Sequence, residues 1–97
     1  MSDIIKMSPT EMEEHARSYK KVADEMNALL KKMDKIKTQI STTMESETVK
    51  SFGTTYDRLK PSFVEMRDLV ERISKALTNT ARNMREQDKK NAGQFKS

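Results

Sequence analysis

The sequence predicts an all-α fold, an antiparallel two-helix hairpin that dimerises into a four-helix bundle. Three observations predict it: two long runs in which apolar residues recur at alternating three- and four-residue steps, a mirror symmetry between those runs, and a composition that offers little for a sheet. Of the 97 residues, 35% are charged, 34% hydrophobic and 5% aromatic, and there are two glycines and two prolines. So few turn-forming residues leave a helical, surface-rich chain of a single domain, residues 1–97, without a large private core.

The first helix has a full start signal. Ser8 caps it, Pro9 suits the first helical position with its fixed φ and missing N–H, and Glu11 reaches back to complete a capping box. Met7 and Met12 fit a hydrophobic staple across this start. From there Met12, His15, Tyr19, Val22, Met26, Leu29, Met33, Ile36 and Ile40 form the seam of a helix packed on another helix. This pattern predicts helix 1 over about 9–41. Ala16, Ala23 and Leu30 widen the stripe sideways, as flanks that call for a partner.

The same alternation restarts after a polar stretch and runs through Val49, Phe52, Tyr56, Leu59, Phe63, Met66, Val70, Ile73 and Leu77, then more weakly through Thr80 and Met84. It predicts helix 2 over about 47–91, followed by a flexible C-terminal tail. Pro61 lies inside the run; because the seam keeps phase across it, the expectation is a kink or local break in one helix. Leu69 and Ala76 flank this second stripe.

The two seams mirror each other. Ile40 matches Val49, Met33 matches Tyr56, Leu29 matches Leu59, Met26 matches Phe63 and Met12 matches Leu77, every pair straddling the peptide bond between Met44 and Glu45. A hairpin reversed there, with its turn over about 42–46, brings each pair to one level. Charge agrees: Glu11, Glu13 and Glu14 open helix 1 beside Arg82, Arg85, Lys89 and Lys90, while Lys31, Lys32, Lys35 and Lys37 lie toward Glu45 and Glu47. Without a glycine C-cap, the turn "TTMESE" must rely on polar caps such as Ser41, Thr42, Thr43 or Ser46. The predicted hairpin and dimer core is therefore Met12, Tyr19, Val22, Met26, Leu29, Met33, Ile36, Phe52, Tyr56, Leu59, Phe63, Met66, Val70, Ile73 and Leu77.

Other chemistries find little support. The chain has no cysteine, which removes disulfides and thiolate sites. His15 is the sole histidine and sits on the seam without a metal-binding companion, so no metal, cofactor or catalytic residue is predicted. The lysines of "KKMDKIK" alternate with Asp34 and the seam and have no aromatic platform, which reads as a solvated face and not a nucleic-acid site. The N-terminus "MSDIIKMSPTEM" has neither a basic n-region nor a sustained apolar h-region. Neither a cleaved signal peptide nor stable membrane insertion is expected.

The phrases "IKMSPTEM", "YDRLKPSF" and "NTARNMREQD", with the hairpin length, closely resemble the Trp-X-Gly superfamily of hundred-residue, early-secreted-antigen-like proteins, particularly its Gram-positive, low-GC branch. In that alignment the signature falls on Met44, Glu45 and Ser46, so both the tryptophan and the glycine are replaced. The "SFG" of Ser51 to Gly53 comes too late to serve. A second motif of the family, an apolar or tyrosine position followed by an acid and further apolar positions, maps to Met84, Asp88, Asn91 and Phe95, which share one face at helical spacing.

The resemblance implies a non-enzymatic substrate and partner of type VII secretion, cytoplasmic before export and extracellular after it. The tail would be read by the secretion ATPase. The implied partner is a second copy, as a homodimer, or a related chain of the same family, and the protein would act as an effector or as an escort for a larger toxin. The alternative is a cytosolic helical adaptor or chaperone that is not itself exported.

Overall fold

The computed structural model describes residues 7–43 and 46–96. It contains two helices, α1 over Pro9–Thr43 and α2 over Glu47–Lys96, packed along each other. The hairpin is a rod of 76 × 27 × 15 Å with a radius of gyration of 21.7 Å. A compact chain of about 100 residues would have a radius near 13 Å. A rod this thin has almost no interior: no large side chain among the described residues is fully buried.

Both helix starts are built from local hydrogen bonds. The Glu11 amide donates to Ser8 Oγ at 3.1 Å, the Ser8 amide donates to Glu11 Oε1 at 3.4 Å, and the Met12 amide closes the first turn on the Ser8 carbonyl. Together they form the reciprocal capping box, with Pro9 at the first helical position. Ser46 caps α2 with no reciprocal bond among the described residues, its hydroxyl accepting from the Val49 amide at 3.2 Å and its carbonyl from the Lys50 amide. At the end of α1 the hydroxyls of Thr42 and Thr43 fold back on the Gln39 carbonyl. Among the described residues the last carbonyls of this helix are met by polar side chains.

The helices meet along a line of small residues. Ala16, Ala23 and Leu30 of α1 and Ser74 and Ala81 of α2 are the buried residues, each set spaced by seven. On this line the Ser74 hydroxyl donates to the Ala16 carbonyl at 2.7 Å, which satisfies the one buried polar side chain among the described residues. The pairs Ala16 with Ser74, Asp34 with Tyr56 and Lys37 with Gly53 are all symmetric about position 45 in the sequence, within half a residue of the predicted mirror point.

This seam corrects the role given to the flanks. Ala16, Ala23 and Leu30, read from the sequence as side positions awaiting a partner, are the residues that face α2 within the chain. Small side chains let the two backbones approach closely, so the line that carries them turns inward and the bulky seam residues beside it turn outward. The contact also reaches past Leu77, the last level matched by the mirror pairs, because Ala81 is buried and Arg85 bonds Glu13 and Thr10.

α2 runs through Pro61 as one helix, as the phase-keeping seam predicts, with no break in it there. Its C-terminal end runs to Lys96, past the expected end at about residue 91, and no proline lies in that stretch to stop it.

Leu30 is 5% exposed, so Leu30→Ala should lower hairpin stability by about 2–5 kcal/mol through lost burial and a residual cavity. Gly53 lies in helical backbone, where an added Cβ would meet only the Cε of Lys37 at 3.7 Å, an ordinary contact. Gly53→Ala should therefore raise stability by up to about 1 kcal/mol. Paired urea melts of the two variants check both signs.

Candidate association face

The heptad that buries Ala16, Ala23 and Leu30 pushes a neighbouring line of large apolar residues to the surface. On α1 these are Val22, Leu29 and Ile36, with Tyr19 beside them; on α2 they are Phe52, Leu59 and Met66, with Leu69 beside them. Leu29 is 46% exposed, Met66 53%, Leu59 58% and Phe52 60%. The two lines share one face, because a shallow groove of about 200 Å³ between the helices is lined by Met33, Phe52, Tyr56 and Leu59, and its continuation by Ile36. Met12, Met26, Met33, Phe63, Val70, Ile73 and Leu77 lie half-buried between this face and the inner seam.

The other side of the buried line is polar. Glu13, Lys20, Asn27 and Asp34 recur every seven residues there, and each meets a partner on α2. Arg85 donates to Glu13 Oε1 at 2.6 Å, Lys20 lies 4.0 Å from Glu71, and Arg67 donates to Asn27 Oδ1 at 2.9 Å. Lys60 donates to Asp34 Oδ2 at 2.8 Å, and Lys37 pairs with Asp57. The hairpin thus has one face it can lose to a partner and one ladder of cross-helix pairs already satisfied. Exposed ion pairs of this kind contribute little each; their directional value is in setting which face remains apolar.

Asp34 is the best-connected rung. Its carboxylate accepts from Lys60 and, at 2.6 Å, from the Tyr56 hydroxyl, and these bonds hold it below the usual carboxylate range. The same bond, with some desolvation, pushes the Tyr56 phenol up to about 12. Arg85 likewise holds Glu13 low. The sequence reading placed Asp34 only as a break in a lysine run. Its seven-residue spacing from Asn27 and Lys20 was the available signal.

The remaining sequence-predicted positions are dispersed. Ser46 caps α2, whereas Met44 and Glu45 lie outside the described residues. Met84 is half-buried, Asp88 and Asn91 are exposed, and Phe95 belongs to α2 with its side chain outside the described set. His15 is exposed on the outward line of α1. Lys37 pairs with Asp57, and Lys31, Lys32 and Lys35 remain exposed. The groove is open and apolar, a shape for packing another surface and not for enclosing a reacting molecule.

Comparison with known proteins agrees with this architecture. Residues 4–89 match the profile of the family described as "Proteins of 100 residues with WXG". The chain is 25% identical over 96 residues to Protein YukE of Bacillus subtilis, covering 99% of each chain. It is 27% identical over 92 residues to the type VII secretion system extracellular protein A of Staphylococcus aureus, covering 95% of each. The crystal structure of Geobacillus thermodenitrificans EsxA superposes with a TM-score of 0.87 at 24% identity, over 94% of this chain and 100% of that one, which shows the same fold.

The raised phenol of Tyr56 has a pH consequence. A group whose pKa is higher in the folded state than its ordinary value of about 10 contributes stability that is complete below pH 10 and lost as pH rises through about 12. A phenolate absorbance titration should show one tyrosine ionising near 12. Asp34→Asn should bring that step back toward 10, and Tyr56→Phe should remove it.

Proposed function

We propose that this chain, which belongs to the WXG100 family, is a small non-enzymatic helical protein that works by association as a substrate and partner of a type VII secretion system. The observation that carries the proposal is the row of exposed large side chains, Leu29, Phe52, Leu59 and Met66 foremost, on a hairpin with almost no interior of its own. Burying that row would remove from water the apolar surface that the hairpin leaves exposed. A second copy offers the same face, and two such faces closed on each other make a four-helix bundle with two-fold symmetry.

The relatives support the secretion part of the reading, since one carries the name of a type VII secretion system extracellular protein and matches nearly end to end. In this reading the C-terminal part of α2, with Met84, Asp88, Asn91 and Phe95 on one side, is the segment that the secretion ATPase reads. Asp88 is exposed and outside the seam, which leaves it free for recognition. Escort of a larger toxin by the same bundle is the most specific form of the proposal.

Association is tested by Leu29→Glu and Leu59→Glu. Each puts a charge in the middle of the apolar face, so light scattering should give the mass of one chain where the parent gives two. The helical circular dichroism of the parent should become concentration-dependent on dilution, as for any fold linked to assembly. A parent that stays monomeric at all concentrations would remove the homodimer and leave a related chain as partner.

Export has its own test. Asp88→Ala with Phe95→Ala should keep the parent's melting profile and mass, while the ratio of secreted to cell-associated protein in a strain with an active type VII system falls sharply. Unchanged secretion would take the tail out of the mechanism. A parent that never leaves such cells would favour an intracellular adaptor.

A further inference from the structure

We propose that the first turns of α2, residues 47–60, form a flap that swings on Pro61 and is latched to α1 by Asp34. The inference concerns the same apolar groove as the association reading and rests on four coinciding features. First, no described residue of α1 beyond Leu30 is buried, and on α2 the buried residues begin at Ser74; residues 61–73 lie opposite the stretch of α1 that holds Ala23, so the packed half of the hairpin is marked out by α1. Leu30 is the last buried residue of α1, and the α2 position at its level is Lys60, adjacent to Pro61. Second, Pro61 has no N–H, so the Asp57 carbonyl lacks its donor four residues on and the helix is weakest at the edge of the packed half.

Third, side-chain hydrogen bonds between the flap and α1 come, among the described residues, from three neighbours in its last turn. Tyr56 and Lys60 donate to Asp34, and Asp57 accepts from Lys37. The rest of the flap adds no side-chain hydrogen bond to α1 among the described residues; Val49 is half-buried there and Gly53 has no side chain to pack. Fourth, the apolar groove of Met33, Ile36, Phe52, Tyr56 and Leu59 lies between the flap and α1. Release of the latch widens that groove and exposes more of Met33 and Tyr56. Asp34 thereby sets how deep an apolar side chain can enter there. The charged and titratable groups around the latch are Asp34 and Lys37 on α1 and Tyr56, Asp57 and Lys60 on α2.

Amide hydrogen exchange on the full-length protein, read by mass spectrometry of peptides, tests the device. Amides of residues 51–60 should exchange at least about tenfold faster than those of 63–81, which lie in the packed half. Asp34→Asn should accelerate 51–60 further and leave 63–81 unchanged. Reversing the pair, Asp34→Lys with Lys60→Asp, should recover part of the loss, and Pro61→Ala, which restores the helical donor, should slow exchange of the flap. Binding of the dye 1-anilinonaphthalene-8-sulfonate should rise in Asp34→Asn as the groove widens. One common rate for the two segments, or equal acceleration of both by Asp34→Asn, would show that the hairpin opens as a single unit and overturn the proposal. An unchanged flap rate in Pro61→Ala would overturn the hinge.

Discussion

Close approach of the two helices along a line of small residues governs the rest of the molecule. Ser74 opposite Ala16, with Ala23 and Ala81 further along the same line, lets the backbones come near enough for a serine hydroxyl to bond a carbonyl of the facing helix. Apart from Leu30, the large apolar residues stand to one side of that line, where Val22, Leu29, Ile36, Phe52, Leu59 and Met66 are exposed. On the other side the next heptad positions carry Glu13, Lys20, Asn27 and Asp34, each engaged across the seam. The apolar face and the polar ladder are thus two consequences of one packing choice.

That choice also explains why the hairpin calls for a partner. Helices are stabilised mainly by burying one face, and a seam of alanines buries little. The apolar area that would normally form the core of a domain is here on the surface, arranged as a continuous strip on a rigid rod. Closing that strip against a second surface supplies the missing core. None of the packing described depends on Met44, Glu45 or Ser46, the positions that the resemblance would assign to the family signature.

Packing is uneven along the rod. From the start of α1 to Leu30 the helices share buried small residues, whereas from Lys31 to the turn they share polar pairs around Asp34 and a shallow groove. Apolar contact resists opening without regard to side-chain direction, while a hydrogen-bonded latch is strong only while its geometry holds. The boundary between the two regimes coincides with the proline of α2.

Much of this was legible in the sequence. Helix existence, the capping box at Ser8 and Glu11, the cap at Ser46 and the antiparallel register followed from local hydrogen-bonding chemistry and from the mirrored spacing of apolar residues. These are properties of single helices and of their order along the chain. What the sequence could not settle was which edge of a broad apolar arc faces inward. Met12, Val22, Leu29 and Ile36 and their flanks Ala16, Ala23 and Leu30 form one arc on α1, and hydrophobicity alone ranks the larger residues as core. Only the tertiary structure decided the matter, because close helix packing depends on how small the facing side chains are on both helices at once. The same reason hid Asp34: its partners Tyr56 and Lys60 are more than twenty residues away and meet it only once that inward edge is chosen.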